Sequence, residues 1–534
     1  MDANQIIKAV KLYGDLMELH NENPFKVRSF QNAYSSAKKL NEELLSKSKE
    51  DLTLVPGIGK SVAAFIMDLR ENKPVPSFEK LVDLTPEGIR DLLQVKGMGP
   101  KRVLTLWKTL NITDIDQLIN ECESGNLARA KGFGEKTQQE ILEKALLFKE
   151  SKGKLLYSEA EKYLEIISQS LPHAFLTGEA LRKNQIISEA HWIIDSAYWP
   201  PVLYDLKITE HSDESIAGVF RDELSVRFSK STQNASKTAF VESFTPIVRE
   251  HLSISENNIT GTNEDDYFHS LGISPIIPEL RWDINARNYN VDRLVKNADI
   301  KGLVHCHTNY SDGVNSLQEM IDQARNLKYE YIVITDHSKS AGYAGGLSEE
   351  RVLQQKREID EIRASVSDIV IYQGIESDIL SDGSLDYDND FLHNFDVIIA
   401  SVHSVLNMDE NKATTRLIKA IEHPATNILG HSTGRLLLQR KGYPLNWEKI
   451  FDACKANKVA IELNANPRRL DLDFTLIRQA MDKGIMIPIN PDAHSTQGMG
   501  DVKYGVIAGR AGGLTTDFVL NALPAREFIS KLKK

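Results

Sequence analysis

Between residues 297 and 534 one pattern governs what the chain can fold into: seven short apolar runs, each followed by an amphipathic stretch. The runs are GLVHC (302–306), YIVIT (331–335), IVIYQG (369–374), VIIAS (397–401), NILG (427–430), VAIEL (459–463) and MIPIN (486–490). Runs that are apolar on both faces suit strands covered on both sides. Parallel strands of that kind need a crossover, usually a helix, between successive members. Seven such units predict a parallel α/β barrel.

Polar residues gather where these runs end. His305, His307 and Asp312 follow or close the first run, His337 the second, Glu376 the third, His403 the fourth and His431 the fifth. Asp492 and His494 follow the seventh, and the sixth, ending near Asn464 and Asn466, offers no obvious ligand. In such barrels the C-terminal strand ends form the face that carries active sites. His305 and His307 are two residues apart, so on an extended segment both point to the same side.

Six imidazoles and three carboxylates exceed what one four-coordinate ion needs, so two or three divalent ions are expected. Mixed nitrogen and oxygen donors suit Mn²⁺, Zn²⁺ or Fe²⁺ better than Ca²⁺ or Mg²⁺. Clustered ions of this kind lower the pKa of a bound water to about 7 and hold phosphate oxygens, which predicts a phosphate-ester substrate. Glu376, Asp492 and His337 are the residues expected at the reacting centre. Arg435, and Arg468 or Arg469, are candidates to bind the phosphate through paired N–H donors. The remaining histidines, His20, His173, His191, His211, His251, His269, His393 and His423, read as ordinary structural residues.

The first 150 or so residues read as helical, with three short glycine turns, VPGIGK (55–60), VKGMGPK (95–101) and AKGFGEK (130–136). After the first turn Val62, Phe65, Ile66 and Leu69 fall at helical spacing, and after the second Val103, Leu106, Trp107 and Leu110 do so. Glycines at a helix start leave backbone N–H groups open to a DNA phosphate. The candidate DNA contacts are Gly57, Gly59 and Lys60; Gly97, Gly99, Lys101 and Arg102; and Gly132, Gly134 and Lys136. The net charge of −11 argues against coating nucleic acid by bulk electrostatics, but contact through backbone amides needs no net positive charge. From about 153 to 285 the pattern is mixed, with possible strands at 174–177, 190–195, 203–208 and 223–228. LGISPIIPELR (271–281) reads as a proline-stiffened connector. Cys122, Cys306 and Cys454 are too few and too scattered for a disulfide framework. The chain has no apolar run of membrane-spanning length and no secretory or mitochondrial leader pattern, so no membrane partner is expected. The expected setting is a reducing cytoplasm.

The motifs HCHTNYSDG, TDHS, GIESDIL, SVHS, GHSTGR, NANPRRLDL and PDAHS resemble the polymerase-and-histidinol-phosphatase (PHP) superfamily. They are most similar to the PHP domain appended to bacterial family X DNA polymerases, and the likeness runs along the whole chain. It implies a multidomain α/β architecture. A helical domain over 1–83 carries the first helix-hairpin-helix motif, and a helical domain over 84–152 carries the second and third. A polymerase beta-like α+β palm and thumb follows over 153–285, then a distorted (β/α)7 PHP barrel over 297–534. It further implies three metal ions with Glu376 as the bridging carboxylate. The implied activity is Mn²⁺-dependent 3′–5′ exonuclease or a related DNA 3′-end phosphoesterase, acting on gapped or single-stranded DNA ends in repair.

The resemblance also exposes departures. The position of the family's Schiff-base lysine falls at Phe65, which cannot form an imine. The family's nucleotide-gripping serine becomes Glu179, its two metal-binding aspartates become Ala190 and Trp192, and its third acid falls near Ser225. Polymerase activity is therefore expected to be lost. Three other readings stay open on the sequence: a small-molecule phosphatase of the histidinol-phosphatase type, an active polymerase, and a non-catalytic DNA clamp.

Overall fold

A computed structural model of the chain describes residues 1–532. Its contacts divide it into two compact units, one of residues Met1–Lys152 and one beginning at Gly153. The first is helical. Helix Ala3–Leu19 opens with a capping box between Asp2 and Gln5 and buries Ile6, Val10, Tyr13 and Met17 at helical spacing. The three glycine turns are built alike. The first glycine of each lies in the left-handed region, with φ of 91° at Gly57, 84° at Gly97 and 94° at Gly132, where a Cβ would be strained. The residue between each glycine pair, Ile58, Met98 or Phe133, is buried. Its amide donates back to Val55, Val95 or Ala130 at 3.0, 2.9 and 3.0 Å. One apolar side chain thus pins each turn to the core while both glycines stay exposed. Helices Lys60–Arg70, Pro100–Thr109 and Glu135–Ser151 follow the turns. Val62, Phe65, Ile66, Leu69, Val103 and Leu106 are buried as their spacing predicts, and Trp107 and Leu110 are half-buried.

The second unit begins with a five-stranded sheet in the order Ala174–Thr177, Ala190–Asp195, Leu224–Ser231, Ser215–Phe220, Leu206–His211. Its only parallel pair is Ala190–Asp195 with Leu224–Ser231. The strand expected at 203–208 lies at Leu206–His211, and Ser215–Phe220 has no counterpart in the sequence reading. Gly218 explains the omission: a glycine weakens the apolar signal, yet a Cβ there would lie 2.4 Å from Lys207 O, so close strand approach requires it.

The stretch at 271–281, expected as a proline-stiffened connector, also packs inward. Arg281 is buried, donates to Ile276 O at 3.0 Å and Ser243 Oγ at 2.8 Å, and pairs with Glu264. The rings of Phe240, Phe244 and Phe268 stand 5.4, 5.0 and 5.6 Å from its guanidinium. The segment is therefore part of a small aromatic core.

The barrel follows. Six parallel strands lie side by side in chain order: Gly302–Cys306, Tyr331–Ile334, Val370–Asp378, Val397–Ser401, Ile428–Leu429 and Ala460–Ile461. Leu463–Asn464 then pairs in parallel with Ile489–Asn490. A parallel bridge between Cys306 and Ala493 returns the last strand to the first, with His307 N donating to Ala493 O at 2.8 Å. All seven expected strands are present in a curled, distorted barrel. Inside it Val304, Val333, Ile399 and Ile428 share a cluster with Phe528 of the helix Ala525–Leu532, which leaves the C-terminal strand ends to the polar residues. Among the described residues no helix is long and apolar enough to cross a membrane.

Candidate metal centre

The nine residues singled out in the sequence converge at those strand ends. They form four overlapping sets: His307, Asp312, His337 and His494; His305, Glu376 and His431; His305, His307 and Asp492; and His337, Glu376 and His403. Within each set the candidate ligand atoms lie within 4.8 Å of one another. Among the described residues these sets contain all nine and no others. His305, His307, Glu376, His431 and Asp492 are buried, whereas Asp312 and His494 stand at the open side.

Glu376, on the strand Val370–Asp378, is central. Its Oε1 faces His305, His403 and His431 at 3.2, 3.2 and 2.9 Å, and its Oε2 faces His337 at 2.9 Å and His307 at 3.6 Å. One carboxylate therefore spans two groups of imidazoles. Asp492 Oδ1 lies 3.6 Å from His305 and 3.3 Å from His307. Its Oδ2 accepts from Arg469 and Asn464, each at 3.1 Å.

The backbone reaches this arrangement by a different route from the one expected. His305 has φ 66° and Asp492 φ 51°, and the register breaks between Leu303 and Cys306. The pair His305 and His307 is thus not presented by simple alternation on an extended segment. A bulge turns His305 inward, and its ring comes to rest 5.2 Å from that of His307. Left-handed backbone at such residues costs about 1–3 kcal/mol and persists where surrounding contacts over-determine it.

The sequence reading missed the groups behind the imidazoles. Glu462 is fully buried on the sixth run, which supplies no member of the ligand sets, as expected, but does supply a partner behind them. Its Oε1 meets His305 Nδ1 at 2.5 Å and accepts from Asn490 at 2.8 Å, while its Oε2 accepts from His431 N at 2.7 Å and Asn464 at 3.1 Å. Asp378 pairs with His403 Nδ1. With Nδ1 engaged, each of these rings turns Nε2 towards Glu376, the outer-partner arrangement that fixes a metal-binding tautomer. A glutamate inside the apolar run VAIEL was the available signal, because a buried carboxylate needs partners.

Several atoms here are buried without any hydrogen-bond partner: His305 Nε2, both ring nitrogens of His307, His337 Nδ1, His403 Nε2, His431 Nδ1 and Glu376 Oε2. Unsatisfied buried lone pairs are costly, and their convergence fits a divalent-cation cluster. The electrostatics of the protein groups alone couple the carboxylates to the imidazoles: against burial, the acids around them hold His305 well above its usual value and raise His403 to about 10 and His494 to about 9. Burial would raise the carboxyl of Glu376, yet His403, His305 and His337 hold it well below the usual range. Asp492 is held well below its usual value against burial by His305, His307 and Arg469. Burial, reinforced by His494 and His337, pushes His307 down to about 3, leaving a neutral donor. Burial also lowers His431, with Arg469 adding to it.

The comparisons with known proteins bear on the whole chain. The PHP domain family matches residues 304–466, a helix-hairpin-helix domain matches residues 1–73, and a SAM-like helix-hairpin-helix tandem matches residues 89–145. The DNA polymerase/3′-5′ exonuclease PolX of Bacillus subtilis (strain 168) is 30% identical across 100% of both chains. The chain belongs to the PolX family. A probable phosphatase of Thermoanaerobacter sp. (strain X514) is 28% identical over 234 residues, covering 41% of this chain and 88% of that protein.

In this PolX chain the hairpin candidates Gly57, Gly59, Lys60, Gly97, Gly99, Lys101, Arg102, Gly132, Gly134 and Lys136 are all exposed. Helices Lys60–Arg70, Pro100–Thr109 and Glu135–Ser151 begin on Gly59, Gly99 and Gly134 with no side-chain cap. Phe65 is buried against Tyr13, Phe30 and Phe78, with ring centroids 5.1, 5.4 and 5.5 Å away.

In the middle sheet Ala190 and Trp192 are fully buried, and Trp192 stacks on Phe228 at 5.6 Å. The neighbouring acids are engaged elsewhere: Glu189 pairs with Arg227 at 2.8 Å, and Asp195 accepts from Ala197 N at 2.9 Å. Glu179 folds back onto the amides of Ser188 and Glu189.

The three arginines part company. Arg469 touches Asp492, whereas Arg468 lies 3.7 Å from Glu159. Arg435 spends its donors on Arg469 O, Leu470 O, Asp473 and Gln185.

Proposed function

We propose that this protein is a DNA-directed, metal-dependent phosphoesterase of the 3′–5′ exonuclease type whose polymerase site has been lost. The observation that carries the reading is the convergence of nine donors, several with buried unpartnered lone pairs, in a chain that also bears helix-hairpin-helix domains. Bound among these donors, two or three divalent ions such as Mn²⁺, Zn²⁺ or Fe²⁺ would supply Lewis acidity and an activated water. Glu376, whose two oxygens face separate imidazole groups, would hold ions with both groups, and Asp492 and His337 would complete the inner wall. Asp312 and His494 line the open side, where a phosphodiester enters. Glu462 and Asp378 keep His305 and His403 turned inward. Arg469 is the guanidinium assigned to the phosphate, because it already contacts a member of the set. Arg435 and Arg468, engaged with other protein groups, act as clamps of the surrounding loop.

The exposed hairpin glycines and the lysines beside them hold DNA by its backbone, without regard to sequence. The substrate is DNA with a single-stranded or gapped end. Buried Ala190 and Trp192 leave the middle sheet without carboxylates to hold the ions of nucleotidyl transfer, so primer extension is expected to be absent. The likeness of the barrel to probable phosphatases favours one second reading, a small-molecule phosphomonoesterase.

The deciding experiment incubates the purified protein with Mn²⁺ and 5′-labelled single-stranded or gapped DNA. Progressive shortening that EDTA or His307→Ala abolishes is expected. No shortening, with turnover of histidinol phosphate instead, would move the assignment to the second reading.

A further inference from the structure

Tyr343 stands at the open side of the nine-residue centre. Its ring centroid lies 6.2 Å from that of His337 and 6.4 Å from that of His403, yet the residue is 72% exposed. Exposure alone argues little: single exposed aromatics are common, and Phe25 and Tyr204 are more exposed still. Placement and mounting argue more. The ring is inclined 56° and 62° to the two imidazole planes, so neither lies flat against its face.

The loop that carries it is pinned on both sides. Ser340 N donates to Asp386 at 2.6 Å, Ser340 Oγ donates to Asp378 at 2.9 Å, and Asp378 N donates to Ser338 Oγ at 2.9 Å. Gly346 N closes the loop on Ala341 O at 3.1 Å, and a Cβ at Gly346 would lie 1.9 Å from Ser338 O. Asp378 is also the carboxylate that holds His403, so the loop is tied to the centre it overlooks. The flanking Gly342 and Ala344 are too small to shield the ring.

We propose that Tyr343 is a stacking platform for the nucleobase attached to the phosphate being cleaved, an inference that rests on the DNA-processing reading above. Asp312 and His494 touch at 3.3 Å on the open side, and a phosphate held over them would bring its sugar and base towards the lip where this ring stands. Every base has an aromatic face, so a single tyrosine adds affinity without choosing sequence. A rigid aromatic side chain also loses little conformational freedom on binding.

The test uses the full chain with Mn²⁺ and 5′-labelled oligonucleotides that end in either an ordinary or an abasic nucleotide. A second probe carries terminal 2-aminopurine with its last linkage blocked against cleavage, so that stacking is read as fluorescence quenching without turnover. Wild type should prefer the base-bearing end by about five- to a hundredfold in kcat/KM, the range of one base–aromatic stack. Tyr343→Phe should keep that preference and the quenching, and Tyr343→Ala should abolish both. If wild type shortens DNA but preference and quenching are absent, or survive in Tyr343→Ala, the platform is overturned and the exonuclease reading stands. If quenching is lost in Tyr343→Ala while no protein shortens DNA, the platform stands and the exonuclease chemistry falls. If wild type neither shortens DNA nor quenches the probe, both fall.

Discussion

The barrel and the middle sheet of the second unit bury different chemistry. At the barrel mouth, imidazole nitrogens and a carboxylate oxygen are buried without hydrogen-bond partners. In the middle sheet, the two positions where the family's paired aspartates are expected hold Ala190 and Trp192, both wholly excluded from solvent. Unpartnered polar atoms oppose folding unless something binds them; Trp192 also buries an unpartnered Nε1, but its ring stacks on Phe228 and it offers no acidic ligand. The contrast separates a cluster of buried ligand atoms from a sheet whose corresponding positions are filled by buried Ala190 and Trp192.

The comparison breaks most readily at Trp192. Trp192→Asp should destabilise the protein by about 5 kcal/mol, the sum of lost packing and a buried charge, as measured by urea unfolding. A variant of near wild-type stability that gained primer extension would show that the middle sheet is an open site after all. Next in size, Glu376→Ala should lower DNA hydrolysis about a thousandfold or more, because both imidazole groups lose their shared carboxylate. Bound metal, measured on the same sample, should fall with it. Retained metal and activity would remove Glu376 from the centre. Glu462→Gln sharpens the picture: it keeps the shape but weakens the partner of His305 Nδ1, for an expected loss of about 10- to 100-fold in metal affinity. A loss of stability with unchanged affinity would make Glu462 merely structural.

The smallest effect concerns Asp501, an acid away from the centre. Burial pushes its carboxyl up to about 7, with Lys503 pulling the other way. The folded state then keeps a proton that the unfolded state releases near pH 4. Between those two values stability falls as pH rises, and the deficit is complete above pH 7. Asp501→Asn should therefore raise the melting temperature by about 2–4 °C at pH 8 and leave it unchanged near pH 4. An equal gain at both values would point to packing instead.

The barrel was legible because parallel strands covered on both faces are written as uninterrupted apolar runs, and the residues at their ends stand out against that background. Where the signal depended on backbone shape it failed. Nothing in HCH announces that His305 adopts a left-handed conformation, and regular alternation gave the right convergence for the wrong geometric reason. Glu462 was visible as a letter inside VAIEL, but its partners lie on other strands, so its role needed three dimensions. Ser215–Phe220 stayed hidden because its glycine serves a close approach rather than a pattern. Arg281 escaped for a similar reason: prolines on its N-terminal side suggest a spacer, whereas aromatic rings from distant helices enclose it.

Arg435 carries one further consequence. Its guanidinium grips the backbone of Arg469 and Leu470 on the barrel and also reaches Gln185, 3.1 Å away, next to the middle sheet. The stretch that aims Arg469 at Asp492 is thereby moored to a neighbouring fold. A barrel cut free of that neighbour would keep every imidazole yet lose a mooring line to the stretch that carries Arg469.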